Sequence, residues 1–212
     1  MPSISQTLSK LFCFGSKDEP SKATQPTITS EPKTTMAPVV LILGSGPRVG
    51  ASVAEQFASK GYSVAVAARK GTDSKTPEGY YSIKADFATP SSIPAVFAAV
   101  KSEFGAAPNV VVYNAAALTP PSDQTSVLSV APEAVTKDLN INVVSPYVAA
   151  QEAVAAWATL PQETKKSFIY TGNVMNEAIV PMPPMLTLGV GKSASAFWIG
   201  LADALYAAKG YR

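Results

Sequence analysis

Between an apolar run at Val39–Leu43 and a helically spaced stretch that opens at Val49 stands the segment Gly44-Ser45-Gly46-Pro47-Arg48-Val49-Gly50. Such a cluster suits the holding of a phosphate. Glycine lets the backbone turn tightly and lets a pyrophosphate approach a helix N-terminus, where unpaired N–H groups and the helix dipole favour an anion. Loops of every kind favour glycine, so it is the place of this cluster, after a strand and before a helix, that gives it meaning. The expected contacts are Gly44, Ser45, Gly46, Arg48, Val49 and Gly50; the bland alternative is a structural turn. The next apolar run ends in Val66-Ala67-Ala68-Arg69-Lys70. An acid there would accept from the ribose 2′-hydroxyl of NAD. Arg69, with Arg48 and Lys70 close in sequence, instead suits the 2′-phosphate of NADP by charge and bidentate geometry. The expected cofactor is therefore NADP(H), against a solvated basic residue at a strand end.

Two absences exclude whole classes of chemistry. The chain has no histidine and a single cysteine, Cys13. That removes Ser-His-Asp and Cys-His catalysis, His-ligated metals, internal disulfides and Cys-rich metal sites, so no metal is expected. Tyr, Ser, Thr, Lys, Asn, carboxylates or a bound organic cofactor must do whatever chemistry there is. A formal net charge of +2 over 212 residues is too small for a general nucleic-acid signature. No uninterrupted apolar run reaches the roughly 18 residues of a membrane span. Neither nucleic acid nor membrane is expected as a partner, and the cysteine usage points to the cytoplasm.

The elements that must position these residues follow from hydrophobic periodicity. Strands are expected at Val39–Leu43, Tyr62–Ala68, Tyr80–Ala85, Asn109–Tyr113 and Ser167–Thr171. Helices are expected at Val49–Lys60, stopping at Gly61, at Ser91–Phe104, at about Pro132–Leu160 and at roughly Gly191–Lys209. Alternating strands and helices, with strands apolar on both faces, imply an α/β fold: a doubly wound parallel sheet of the Rossmann kind, with about five strands and helices on both faces. This domain spans residues 36–212. Ahead of it, sixteen of residues 1–35 are Ser, Thr or Pro, too polar a composition to bury a core, so a disordered extension is expected. A mitochondrial presequence is the alternative reading of that tail, weakened by its lack of arginine.

With these motifs in order, the chain from residue 38 to about 209 resembles the short-chain dehydrogenase/reductase family. Gly44 and Gly50 match the first and last glycines of that family's TGxxxGxG turn, while Arg48 stands in the middle glycine's place. The resemblance implies that Asp86, followed by Phe87, meets the adenine. Asn114-Ala115-Ala116-Ala117 looks like the NNAG motif that stabilises the sheet and lines the cofactor site, and Asn142 like the helix asparagine that supports a proton-relay water. Outside the resemblance, Asp86 reads as a turn former, Asn114 as a cap on its own loop and Asn142 as a polar residue on an exposed helix face.

The departures fall on the catalytic centre. The family's Tyr-x-x-x-Lys has its lysine here in Lys192, which would bind the nicotinamide ribose, but Leu188 stands where the general-acid tyrosine belongs. Met175 occupies the nominal place of the family's serine; Thr171, Asn173 or Thr187 are left to polarise a substrate. Tyr80-x-x-x-Lys84 satisfies the bare pattern, yet on a strand far from the nicotinamide, and is taken as chance. The resemblance implies a sixth and a seventh strand and a substrate lobe beyond Arg212; without them the fifth strand is expected to have an open edge, so either a C-terminally truncated domain or a partner chain over that edge is expected. Alanines on the fourth and fifth helices (Ala149, Ala150, Ala153, Ala156; Ala194, Ala202, Ala207) suit close packing, and the resemblance implies a homodimer there; helix propensity is the competing explanation. Two functions stay open. One is an atypical NADP(H)-dependent oxidoreductase acting on a small carbonyl, alcohol or alkene, with Asn142, Lys192, Thr171 and Asn173 at its centre. The other is a catalytically impaired dinucleotide-binding protein, serving as sensor, scaffold or degenerate paralogue.

Overall fold

A strand that is apolar on both faces is stable only if both faces are covered. β1 (Val39–Leu43) is buried along its whole length, and so is β5 (Val110–Tyr113). These strands lie at the centre of the fold in the computed structural model, which describes residues 36–212. The expected extension at 1–35, with Cys13, lies outside the described residues. The sheet runs β3-β4-β2-β1-β5-β6, where β2 is Ser63–Ala68, β3 Ser74–Lys75, β4 Tyr81–Lys84 and β6 Ser167–Tyr170. All pairs are parallel except β3 with β4.

Alternation sends Val40, Ile42, Val64, Val66, Val110 and Val112 to one face, under Ala54, Val53 and Phe57 of α1 (Val49–Ser59). Leu41, Leu43, Ala65, Ala67, Val111 and Tyr113 face the other way, against α2 (Ile93–Phe104) and α4 (Ser145–Trp157). The doubly wound parallel architecture expected from the sequence is thus present. Chain order reverses between β1 and β5, so their carboxyl ends open a crevice at the topological switch point.

Four details differ from expectation. The sheet has six strands: β3 is a polar, exposed pair of residues held by a turn in which Gly79 has φ +86°, and it carries no hydrophobic period to read. The helix expected at Pro132–Leu160 is two helices, α3 (Pro132–Leu139) and α4, joined by a π turn at Asn140–Val144. The last helix, α5 (Leu186–Tyr206), starts earlier than Gly191, because the Pro183–Met185 turn nucleates it and tertiary packing overrides Gly189 and Gly191. The outer edge of β6 is met by Tyr211–Arg212: Phe168 N donates to Arg212 O at 2.6 Å and Arg212 N to Lys166 O at 3.2 Å.

α5 is inverted in polarity. Its inward side carries Thr187, Gly191, Lys192 and Ser195, all buried, while Phe197, Leu201 and Leu205 are 76%, 52% and 68% exposed. By length and composition alone, Pro183–Lys209 is apolar enough to cross a membrane. Its inward hydroxyls and ammonium are nonetheless hydrogen-bonded to α3, the π turn and the end of β6.

Candidate active site

The crevice is built where β1 and β5 end. Gly44 has φ +99°, and a Cβ there would stand 2.3 Å from Ala115 N, so only glycine lets the two strand ends come this close. A Cβ on Gly50 would meet Ser45 Cα at 2.7 Å, so this glycine lets α1 start against the turn. Gly46, with nothing within 4 Å of its would-be Cβ, faces open space. Arg48 occupies the N-cap without a capping side-chain bond, and no acid lies in the first turn of α1. Ala51 N and Ser52 N are taken by Gly46 O and Arg48 O. Among the described residues the N–H groups of Val49 and Gly50 are left as the unpaired donors of a helix start.

Asn114 N donates to Leu43 O at 2.7 Å and its Nδ2 to Gly44 O at 2.9 Å, so this residue ties β5 to the glycine turn rather than capping its own loop. Arg69 and Lys70 are exposed at the end of β2. Asp86 is exposed and does form a turn, Oδ1 accepting from Ala88 N at 3.0 Å. Phe87 turns its ring into the core 5.8 Å from Tyr113 and gives its carbonyl to Ser145 Oγ, which leaves only backbone to meet a ligand. Ala115, whose backbone lies against Gly44, packs on the core, and Ala116 after it is exposed.

Asn142 is fully buried, which excludes an exposed helix face for it. Its Oδ1 accepts from Ala117 N and its Nδ2 donates to Ala117 O, both at 2.9 Å, locking the π turn onto the loop after β5. A π turn frees main-chain carbonyls from the helical ladder. The carbonyls of Ile141 and Asn142 are taken by Tyr113 OH (2.6 Å) and by Tyr170 OH (3.0 Å) and Ser195 Oγ (2.8 Å) respectively. The two lone pairs of the Asn142 carbonyl are therefore already occupied by hydroxyls.

Lys192 is buried beside this point. Its Nζ donates to Thr171 O, and desolvation lowers its pKa. Desolvation likewise raises the pKa values of Tyr113 and Tyr170, so neither phenol is poised as an acid near neutrality. Asn173 is exposed; its Oδ1 caps a short turn by accepting from Met175 N at 2.9 Å, and Nδ2 remains uncommitted among the described residues. Thr171 N donates to Tyr113 O, leaving the hydroxyl uncommitted among the described residues. Thr187 is not available to a substrate: it is buried, and its hydroxyl donates to the buried Asp138 at 2.7 Å. Leu188 is half-buried one turn before Lys192.

The sequence profile of the family described as enoyl-(acyl carrier protein) reductase matches residues 47–194. A curated relative, the short chain dehydrogenase/reductase dmxR12 of Cryptosporiopsis sp., is 39% identical over 188 residues, spanning 83% of this chain and 74% of the relative. The chain is a short-chain dehydrogenase/reductase. Among solved structures it is similar to a short-chain dehydrogenase/reductase from Serratia marcescens, 25% identical with a TM-score of 0.64 over 82% of this chain and 72% of that one. The fold is also that of 3-ketoacyl-(acyl-carrier-protein) reductase from Brucella melitensis, whose structure holds NADH, with a TM-score of 0.67 and 20% identity over 84% and 74% of the two chains. As a member of this family the protein is of an oxidoreductase type.

Sequence reasoning missed Tyr170, Ser195 and the Asp138–Thr187 pair. Inward alternation in Phe168-Ile169-Tyr170 and the helical spacing of Lys192 to Ser195 were the available signals. Nothing in the sequence marks the π turn.

Proposed function

We propose that this short-chain dehydrogenase/reductase is an NADP(H)-dependent oxidoreductase whose substrate is a small activated carbonyl or alkene. The observation that carries the reading is Lys192, a buried ammonium with no carboxylate partner among the described residues, held to the Thr171 carbonyl just past the end of β6, on the same carboxyl edge of the sheet as the glycine turn. Residues around the crevice fit a dinucleotide. The donors of Val49 and Gly50, the side-chain-free Gly44 and the open face of Gly46 would hold the pyrophosphate. Arg69, with Arg48, would meet the 2′-phosphate, while Asp86 and the Phe87 backbone would flank the adenine. Lys192 would hold the nicotinamide ribose.

The cofactor, when bound, supplies the hydride. Thr171 Oγ1 and Asn173 Nδ2 are the uncommitted donors that would polarise the substrate. Asn142 orients the loop at Ala117 rather than touching substrate. Leu188 cannot donate a proton, so the substrate must be one whose reduced form is a stabilised anion that takes its proton from water. The saturated Asn142 carbonyl and Leu188 favour the second reading, a dinucleotide-binding protein without turnover.

The chain also has a surface suited to a second copy. Val190, Phe197, Leu201 and Leu205 form one apolar ridge on α5. It is flanked by a groove of about 480 Å3 against α4 and one of about 710 Å3 against the Ile179–Met185 segment. A ridge beside grooves on one mostly apolar patch, with Asp203 and Arg212 in the lining of the first groove, suits the self-complementary contact of a two-fold dimer.

Parallel titrations with NADPH and NADH, followed by nicotinamide fluorescence, test the cofactor reading. NADPH binding that exceeds NADH binding and is weakened about 10-fold or more by Arg69→Ala is expected from loss of a charge-assisted contact. Binding of neither nucleotide overturns it. Saturable NADPH binding with no turnover across activated carbonyls and alkenes selects the second reading.

A further inference from the structure

Among the described residues the one ion pair joins Lys75 to Glu103, so no carboxylate holds Lys192. What stands against its ammonium is an aromatic face: Nζ lies 4.4 Å from the centroid of the Tyr170 ring. A cation within about 6 Å over a ring face is attracted by the ring quadrupole, and the more strongly where water is excluded.

The ring itself is fixed at two points. Its hydroxyl donates to Asn142 O, and its ring stacks on the buried Tyr113 at 6.0 Å with an interplanar angle of 14°. Tyr113 is its register partner across β5 and β6 and is anchored in turn to Ile141 O. From α5, Ser195 donates to the same Asn142 carbonyl that receives Tyr170, so helix and ring share one anchor. Leu188, one turn before Lys192, offers neither charge nor hydrogen bond.

We propose that Tyr170 is the positioning residue for Lys192, its ring face and the neighbouring Thr171 carbonyl fixing the ammonium just past the end of β6 without a hydroxyl or carboxylate partner. The role of that ammonium as ribose ligand rests on the function proposed above; the Tyr170–Lys192 coupling does not. Tyr170 reaches neither substrate nor cofactor in this role, since its hydroxyl is committed to the π turn. Burial disfavours charge on Lys192, and the ring opposes that penalty. The groups around the ammonium are Tyr170 on β6 with Tyr113 behind it on β5; Asp138 of α3 is bonded to Thr187 instead.

The test reads the Lys192 Cε resonance by 13C NMR in the full chain against pH, assigned through Lys192→Met, alongside NADPH titration. Tyr170→Phe keeps the ring face, so the Lys192 midpoint stays within a few tenths of a pH unit and NADPH affinity within about threefold. Tyr170→Leu removes the face, lowers the midpoint, and weakens NADPH by about 3- to 30-fold. A second series replaces residue 170 by phenylalanines of increasing ring fluorination, which keep the shape and drain the quadrupole; the midpoint falls stepwise. An unchanged midpoint in both series overturns the proposal. A stepwise fall in a protein that binds no NADPH sustains the coupling and refutes the ribose role alone.

Discussion

The same substitution at two positions of α5 should act with opposite sign. Gly200 lies on the exposed side, and a Cβ there would meet nothing within 4 Å. Gly200→Ala should stabilise the fold by up to ~1 kcal/mol, the helix propensity difference between the two residues. Gly191 is buried, and a Cβ there would stand 2.4 Å from Asn142 Cβ and 3.1 Å from its Cγ. Cβ is bound to the backbone and cannot swing aside, so either α5 or the π turn must move. Gly191→Ala keeps the propensity gain of ~1 kcal/mol but sets against it ~1–3 kcal/mol of overpacking. Displacing Asn142 also strains its two bonds to Ala117, at ~0.5–1.5 kcal/mol each. The net is a loss of ~1–5 kcal/mol, so the two variants should differ by ~2–6 kcal/mol. Urea unfolding, with m unchanged between variants, measures this directly. Gly191→Ala as stable as Gly200→Ala would refute the close approach of α5 to Asn142, and with it the account of how Lys192 is placed.

Leu188→Tyr restores a phenol one turn before Lys192, and should create or strongly raise reduction of generic ketones by NADPH, measured by loss of absorbance at about 340 nm; no gain in a variant that still binds NADPH would show that the substrate side of the site is closed. Phe197→Glu places a charge on the most exposed residue of the α5 ridge and should shift the protein to monomer in sedimentation equilibrium, while a mass unchanged from wild type would rule out the ridge as the dimer contact. Burial raises the pKa values of Tyr113 and Tyr170, so their contribution to stability is complete below the unfolded tyrosine pKa of about 10 and is lost as pH rises through their folded values. Lys192, with its pKa lowered, works in the opposite direction below about 10.5, but it is one group against two. The urea midpoint should therefore fall steeply above about pH 10, and Tyr113→Phe should flatten that fall; a midpoint level to about pH 11 would contradict burial of these phenols.

What was legible in the sequence is what short-range patterns encode. β1, α1 and the glycine turn between them follow from an apolar run, helical spacing and glycine, and each is found within a residue or two of its expected bounds. Asn114 could be placed at a strand end, but not its bond to Gly44, which joins residues far apart in the chain. The π turn was illegible because nothing local distinguishes Asn140–Val144 from ordinary helix; carbonyl acceptors for Tyr113, Tyr170 and Ser195 are supplied by tertiary contact. Thr187 was misread for the same reason. As a hydroxyl beside Leu188 it looks available, and only the fold reveals the buried carboxylate of Asp138 that takes it.

These contacts do not weigh equally as signs of chemistry. Gly44, Gly191, Asn114 and Asn142 each satisfy a steric or hydrogen-bonding demand of the fold, and the fold would need them whether or not anything bound. Lys192 is different. Burying an ammonium without a carboxylate is unfavourable, and one carbonyl and one aromatic face offset only part of the lost hydration. An apolar side chain of similar length would pack the same space at less expense to stability. A ligand hydroxyl or phosphate that accepts from Nζ would supply what the protein withholds. The dinucleotide reading therefore stands on Lys192 more than on the glycines, and on that proposal Leu188, which cannot donate a proton, and the saturated Asn142 carbonyl are the two features that would limit the chemistry.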